Sequence, residues 1–140
     1  MGKPTDDGSV GSFVVFLDEN HCGNPYLREV LVSANVTFVS HLDHFAAGTE
    51  DTEWLPRVGR LGWCLLTTDK RIRKRPLERA AVRENAVRMF YFANNDASGQ
   101  QMGETLRRAL PEMQKLVLEQ KPPFIASINR AGEVRIRDTF

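Results

Sequence analysis

The sequence predicts an α/β fold with three layers, in which a mainly parallel sheet lies between two layers of helices. Short apolar runs rich in β-branched and aromatic residues alternate with helical patterns four times along the chain. Strands joined by helices pair in parallel through right-handed crossovers, which cover both faces of the sheet. Two further runs, residues 124–129 and 133–137, flank Arg130-Ala131-Gly132 and predict a β-hairpin appended at the C-terminus. A length of 140 residues suits one ordinary domain.

The first βαβ unit is predicted from residue 12 to residue 40. Residues 12–17 and 36–40 are apolar runs with β-branched or aromatic side chains, as expected of buried strands. Between them, Pro25 opens a helix at its first turn. The apolar face of this helix consists of Tyr26, Leu27, Val30 and Leu31.

A second helix and a third strand follow a polar loop at residues 41–48. Thr49 is the predicted N-cap of the helix, because acidic residues fill the turn after it. Gly62 ends the helix, and residues 63–67 form the strand. The apolar face of the helix consists of Trp54, Leu55, Val58 and Leu61.

The second half of the chain repeats the alternation. Pro76 opens a third helix, with an apolar face that includes Leu77 and Ala81, and residues 88–93 form a fourth strand. Residues 99–120 are helical apart from Pro111, which is predicted to kink the helix or divide it in two. A helical stripe there predicts core packing or, alternatively, a surface for a second subunit or a protein partner: Met102, Leu106, Leu110, Met113, Leu116 and Val117.

The composition is that of a folded protein, with 41% hydrophobic and 26% charged residues. Apolar runs are far shorter than the roughly 20 residues of a membrane helix, so we expect no membrane partner. Residues 1–11 are polar and lack the apolar core of a signal peptide, which predicts a flexible N-terminus and a cytoplasmic protein. Cys22 and Cys64 lie far apart without CxxC spacing, so a disulfide framework is not expected.

Acidic residues follow the predicted strands where ligands bind to parallel sheets, outside the carboxyl ends. Asp18 and Glu19 come directly after the first strand, and Asp69 follows the third. Asp51 lies in the first turn of the helix that follows the second strand. One edge of the sheet is therefore expected to gather Asp18, Asp51 and Asp69 into a single cleft.

Such a cluster needs compensation, because two carboxylates about 4 Å apart repel by about 4 kcal/mol at an effective dielectric near 20. It takes up protons, recruits basic residues or binds a hard cation. Oxygen ligands alone favour Mg²⁺ or Mn²⁺, which orient and deprotonate an attacking water and neutralise charge on a phosphodiester. The alternative is that these carboxylates only cap helix N-termini.

Three motifs, in this order, resemble the PIN-like nuclease superfamily and in particular its small bacterial and archaeal members. They are Leu17-Asp18-Glu19-Asn20, the run from Thr49 through Asp51 to Leu55, and Thr67-Thr68-Asp69-Lys70-Arg71. The resemblance continues through Arg75-Pro76-Leu77-Glu78 and Arg88-Met89-Phe90-Tyr91-Phe92. It spans about two-thirds of the chain and makes residues 1–140 a single PIN-like domain.

The resemblance implies a Mg²⁺- or Mn²⁺-dependent ribonuclease, often the toxin of a toxin–antitoxin pair. Asp18, Asp51 and Asp69 match the metal-binding acidic residues by position. Glu19 would contribute through a water molecule, and Asn20 would position the loop or the substrate. The partners implied are RNA, an antitoxin protein and, for the helical stripe, a second copy in a homodimer.

Two positions depart from the family pattern. Arg71 stands where many relatives have a second acidic residue, which places a second metal ion in question. Glu78 would supply the missing carboxylate if its helix points into the cleft. His21-Cys22 stand where relatives often have Leu-Pro.

A basic stretch follows the third strand and is predicted to bind the phosphate backbone of RNA beside the metal site. Its six cations within ten residues are Lys70, Arg71, Arg73, Lys74, Arg75 and Arg79. Residues 1–54 contain nine acidic and two basic residues, whereas residues 55–140 contain 17 basic and nine acidic residues. This asymmetry is consistent with one site that binds cations, in the acidic first part of the chain, and another that binds polyanions, in the basic second part. The alternative is a solvated face that keeps the protein soluble.

Other functions stay open at this point. A catalytically silent module would keep the fold and bind nucleic acid or a protein, and Arg71 favours it. A receiver-like signalling domain also has an acidic pair after its first strand, but it needs a lysine at the end of a fifth strand. His41 and His44, with His21-Cys22 upstream, resemble half of a zinc site, and Cys22 beside a histidine resembles a nucleophile.

Overall fold

The computed structural model describes residues 13–94 and 96–140. The expectation of a flexible N-terminus at residues 1–11 lies outside these described residues. The strands are β1 (Val14–Leu17), β2 (Thr37–Ser40), β3 (Cys64–Thr67), β4 (Arg88–Phe92), β5 (Phe124–Ile128) and β6 (Val134–Asp138). The helices are α1 (Pro25–Ser33), α2 (Asp51–Arg60), α3 (Pro76–Glu84) and α4 (Gly99–Glu119), with short 3₁₀ segments at His41–Asp43 and Lys70–Arg73.

The predicted three-layer α/β fold is confirmed. The six strands form one sheet in the order β2-β1-β3-β4-β5-β6, in which β1 to β5 are parallel and β6 is antiparallel to β5. Alternate residues of strands β1 to β5 supply two cores. Val15 and Leu17 pack with α1 and α4 on one face, and Val14 and Phe16 pack with α2 and α3 on the other. The sheet is thus covered on both sides, as parallel sheets require.

The order of the strands places a crevice between β1 and β3. From β1 the chain crosses to β2 on one side and then returns past β1 to β3 on the other side. This reversal is the topological switch point of a doubly wound sheet, where the connections leave the carboxyl ends of the two strands in opposite directions. The residues directly after Leu17 and Thr67 therefore border the crevice.

The hairpin differs from the prediction in how β5 is used. Rather than being appended, β5 is the fifth parallel strand, pairs with β4 along its whole length and is entirely buried. Only β6 is added at the edge, where its residues alternate between half-buried and exposed. The physical reason is that α4 supplies a long crossover between β4 and β5, which the prediction did not connect with the hairpin.

Helix α4 is continuous from Gly99 to Glu119, so of the two outcomes predicted for Pro111, a kink or a division, the division is wrong. Leu110 and Met113, on either side of the proline in sequence, are buried in the core with Leu106. This apolar face spans the proline, and its packing against the sheet outweighs the loss of one helical hydrogen bond. The stripe predicted on α4 is consequently core. Within the described ranges, no helix is long and apolar enough to cross a membrane.

Some local predictions are also wrong. Thr49 is not the N-cap of α2; its hydroxyl donates to the carbonyl oxygen of Ala46, and Glu50 occupies the cap without a side-chain hydrogen bond. Tyr26 and Leu77 are exposed, because each lies at the first turn of its helix beyond the edge of the core. Strands β2 to β5 are each one residue shorter than predicted, whereas β6 has the predicted length but begins and ends one residue later.

Candidate functional site

A cavity of ≈ 80 Å³ opens in the crevice at the carboxyl ends of β1 and β3. Its polar lining includes Asp18, Glu19, Asn20, His41, Asp51 and Asp69. The structure therefore brings the three predicted aspartates to one cavity. Asp18 directly follows β1, Asp51 is the first residue of α2, and Asp69 is the second residue after β3. The three aspartates differ in their burial and in the charged groups that contact them.

Asp18 is the most buried of the three aspartates, with 7% of its surface exposed. Its Oδ2 accepts a hydrogen bond of 2.5 Å from the Thr67 hydroxyl, while Oδ1 is buried without a hydrogen-bond partner. Burial raises the pKa of Asp18 to about 6, although the hydrogen bond from Thr67 opposes the rise; the charges of Asp51 and Asp69 add to it. This carboxylate is consequently costly to ionise.

Asp51 begins α2 at the rim of the cavity and is half-buried. Burial raises the pKa of Asp51, and the negative charges of Asp69 and Glu78 raise it further, whereas Arg75 lowers it. Helix N-termini favour a carboxylate, so Asp51 also benefits from its place in the first turn of α2. Asp51 is thus both a helix-start residue and a member of the acidic cluster.

Asp69 is held by cations instead. Its Oδ1 accepts hydrogen bonds from the backbone N–H and the Nε of Arg71, both at 3.1 Å. Nη1 of Arg75 lies 3.9 Å from Oδ2. The side chains of residues 13–94 and 96–140 form no group of three or more His, Cys, Asp or Glu residues arranged to hold a metal ion. The three aspartates line one cavity, but their carboxylate oxygens do not converge on one point.

The other predicted acidic and polar residues lie around this centre. Both carboxylate oxygens of Glu19 accept from the backbone N–H of Gly48, at 3.0 and 3.2 Å, which fastens the loop before α2 to the end of β1. Asn20 lines the cavity and is exposed at its rim. Glu78 is paired with Arg75 at 3.4 Å and acts on the pKa of Asp51 through its charge.

The basic stretch separates into two parts. Nε of Arg73 and Nη1 of Arg79 contact Oδ2 of Asp138 at 2.7 and 3.1 Å, and Arg79 lies over the Phe140 ring. These two arginines therefore fasten α3 and its preceding turn to the end of β6. The other four cations face solvent, because Lys70, Arg71 and Lys74 are exposed and Arg75 is only half-buried. Of these, Arg71 and Arg75 contact Asp69 at the cavity.

Two residues of the site were not predicted. Thr67 provides the hydrogen bond to Asp18, and His41 lines the cavity with 1% of its surface exposed. Neither Nδ1 nor Nε2 of His41 has a hydrogen-bond partner. The available signal was position: His41 directly follows Ser40, the last residue of β2, just as Asp18 directly follows β1.

The zinc and cysteine alternatives find no support in the geometry. Nε2 of His21 forms a 2.6 Å hydrogen bond with the Thr68 hydroxyl, and His44 packs edge-on against Trp63. The Cys22 thiol is buried and donates to the carbonyl oxygen of Glu19. No His/Cys metal group occurs among the residues that the structure describes.

A family model described as a PIN like domain matches residues 13–94. The chain belongs to the PIN-like domain family. The matched range of this PIN-like domain begins before β1 and ends after β4, so it contains Asp18, Asp51 and Asp69 together with the switch-point crevice. Helix α4, β5 and β6 lie beyond the match and complete the sheet. Comparisons with curated proteins and with solved structures gave no match.

Proposed function

We propose that this PIN-like domain is a metal-dependent endoribonuclease and the toxin component of a toxin–antitoxin pair. Membership of a nuclease-type superfamily supports the reaction class. The observation that carries the proposal is Oδ1 of Asp18, a buried and unpartnered carboxylate oxygen in a cavity shared with Asp51 and Asp69. A divalent cation would remove the cost of this arrangement, because it compensates several carboxylates at once.

The donor set fits Mg²⁺ or Mn²⁺, since carboxylate oxygens are the ligands that hard divalent cations prefer. Asp18, Asp51 and Asp69 would hold the ion, and Glu19 would act through a water molecule. When bound, the ion supplies a nucleophilic water at neutral pH and neutralises charge on the phosphodiester. The chain fixes Asp18 through Thr67 and fixes Glu19 through Gly48, so two of the carboxylates are already oriented.

The exposed cations explain how substrate and site would assemble together. Arg71 and Arg75 now contact Asp69. Both guanidinium groups would hydrogen-bond to RNA phosphates, for which arginine forks are suited. That exchange would release the Asp69 carboxylate toward the cavity. Lys74 would add a further contact to the phosphate backbone, with the salt dependence that such contacts give.

The proposal is tested with the purified chain and a labelled single-stranded RNA, in Mn²⁺, in Mg²⁺ and in excess chelator. We expect cleavage only with metal, and loss of cleavage in Asp18→Asn, Asp51→Ala and Asp69→Ala. Asp96→Asn is the matched control, since this carboxylate is exposed near the start of α4. Circular dichroism verifies that each variant is folded. Cleavage that survives chelation, or that survives in all three cluster variants, contradicts the proposal.

The toxin role and its partner need a separate experiment. Induced expression in a bacterial host is expected to arrest growth, and Asp18→Asn is expected to relieve the arrest. A small protein encoded beside the gene is the antitoxin candidate, and co-expression should restore growth and yield a stable complex. Growth that continues when the wild type is expressed contradicts the toxin role. It does not contradict nuclease activity, which the RNA cleavage assay tests separately. A homodimer is tested on the same preparation by light scattering.

A catalytically silent nucleic-acid-binding module is the second candidate, and one observation favours it. Arg71 occupies the place of a family carboxylate and is hydrogen-bonded to Asp69, one of the three candidate ligands. Such a module would bind RNA without cleaving it and would gain no thermal stability from Mn²⁺. A receiver-like domain is not favoured: β5 is indeed a fifth parallel strand, but Asn129-Arg130 follows it where a receiver needs lysine.

A further inference from the structure

His41 is held in a fixed orientation at the wall of the acidic cavity. It directly follows β2, and its ring lies among three aromatic rings, with centroid distances of 5.9 Å to Phe16, 5.4 Å to Phe45 and 5.7 Å to Trp54. With 1% of its surface exposed, the imidazole does not reach bulk water. The three aromatic rings therefore fix the plane of the imidazole ring and, with it, the positions of its two nitrogens.

Both nitrogens of this imidazole lack a hydrogen-bond partner. The nearest carboxylate oxygen in an ion-pair geometry is Oε1 of Glu19, 3.8 Å from Nε2, which is too long for a hydrogen bond. Oδ1 of Asp18 is also buried and unpartnered, and both residues line the same cavity. Buried polar groups in proteins are almost always paired, with protein or with ordered water.

The cavity is large enough to supply those missing partners. Its ≈ 80 Å³ exceeds the space of a single water molecule several-fold. A neutral imidazole offers one donor and one acceptor, whereas the surrounding carboxylates offer acceptors only. Water molecules bound to a cation donate hydrogen bonds and therefore need acceptors. An imidazole nitrogen is such an acceptor, and it adds no negative charge to a cavity that already holds several carboxylates.

We propose that His41 binds the water shell of the divalent cation in the acidic cavity, and so positions that shell relative to Asp18. This inference rests on the proposed function, because it needs a cation held by the cluster. His41 is a positioning residue, because it would act on the ion only through water. The other two histidines are differently placed, since His21 is paired with Thr68 and His44 packs on Trp63 at the surface.

The test measures Mn²⁺ affinity of the full chain by isothermal titration calorimetry. His41→Phe keeps an aromatic ring within the enclosure but removes both nitrogens. We expect its affinity to fall about 10- to 100-fold, the usual effect of removing a residue that supports metal ligands through hydrogen bonds. His41→Gln, which restores a donor and an acceptor, should recover part of the loss, and His44→Phe should bind as the wild type does.

The outcomes separate the two proposals. If the wild type binds Mn²⁺ and His41→Phe binds it equally well, the role of His41 is overturned while the nuclease proposal stands. If the wild type shows no saturable Mn²⁺ binding, the metal step of the proposed function fails and the role of His41 fails with it. A purely structural His41 predicts that His41→Gln gives no recovery. Should His41→Phe not fold by circular dichroism, His41→Leu replaces it in the same comparison.

Discussion

Asp18 makes the stability of the metal-free protein depend on pH in a way that one substitution removes. Its pKa is raised from 3.8 to about 6, chiefly by burial, which corresponds to about 3 kcal/mol at 25 °C. The native state therefore holds a proton on Asp18 that the unfolded state releases between these two pH values. Stability due to this group is highest below pH 3.8 and falls as pH rises, until the full cost is present above about pH 6.

Asp18→Asn is isosteric, does not ionise and keeps an oxygen to accept the Thr67 hydrogen bond. In chelator, we expect the stability of the variant relative to the wild type to increase by about 2–3 kcal/mol between about pH 4 and pH 7.5. Any effect of the asparagine on the free energy of unfolding that is independent of pH cancels, because only the change of the difference with pH is compared.

The assay is urea denaturation of both proteins at a series of pH values, followed by circular dichroism. Asp96→Asn is the control, and its difference from the wild type should not vary with pH to this extent, because Asp96 is exposed. Mn²⁺ at about 100 times its dissociation constant should stabilise the wild type by about 2.7 kcal/mol and the variant by much less. A difference between wild type and Asp18→Asn that stays constant from about pH 4 to pH 7.5 refutes the assignment of a costly buried charge.

Three further outcomes are expected. Lys74→Glu should weaken RNA binding and lower the slope of log affinity against log salt by at least about 1, measured by fluorescence anisotropy, and an unchanged slope removes Lys74 from the interface. Arg73→Ala should instead lower stability by about 1 kcal/mol through the loss of its contact with Asp138, and leave the salt slope unaltered. Gly59→Ala should destabilise the fold by about 3 kcal/mol in urea denaturation, because an added Cβ would lie 2.0 Å from the carbonyl oxygen of Asn85.

The order of helices and strands was predictable because it depends on local sequence patterns. Apolar runs and helix-opening prolines at Pro25 and Pro76 are confirmed in the structure. What local patterns did not contain is the partner of each strand. The place of β5 beside β4 and the continuity of α4 through Pro111 both depend on packing between distant segments. Such packing outweighs the local preference of a single residue.

The meeting of the three aspartates was predictable from a rule of topology, since carboxyl ends of parallel strands share one edge. The cations that contact one of them, Arg71 and Arg75 at Asp69, were not predictable as its partners. Nor does any pattern of sequence indicate that Arg73 contacts Asp138, because these residues are 65 positions apart. The sequence indicates His41 only as half of a zinc site, because its burial and its aromatic enclosure arise only when β1, β2 and α2 pack together.

Magnitudes decide whether the contact of Arg71 with Asp69 blocks a metal site. The Arg71 side chain is 72% exposed, and exposed ion pairs contribute about 0–1 kcal/mol. Ionised Asp18 costs about 3 kcal/mol at neutral pH, and a cation in the cavity would relieve that cost. Because the second free energy is the larger, the ion pair with Arg71 would not prevent a cation from binding. Asp69 would then join the cluster, and Arg71 would turn to solvent or to a phosphate at little loss. Arg71→Ala should therefore tighten Mn²⁺ binding by less than about tenfold, while it weakens RNA binding; a much larger gain would mean that Arg71 competes with the metal as a substitute cation, as the catalytically silent module requires.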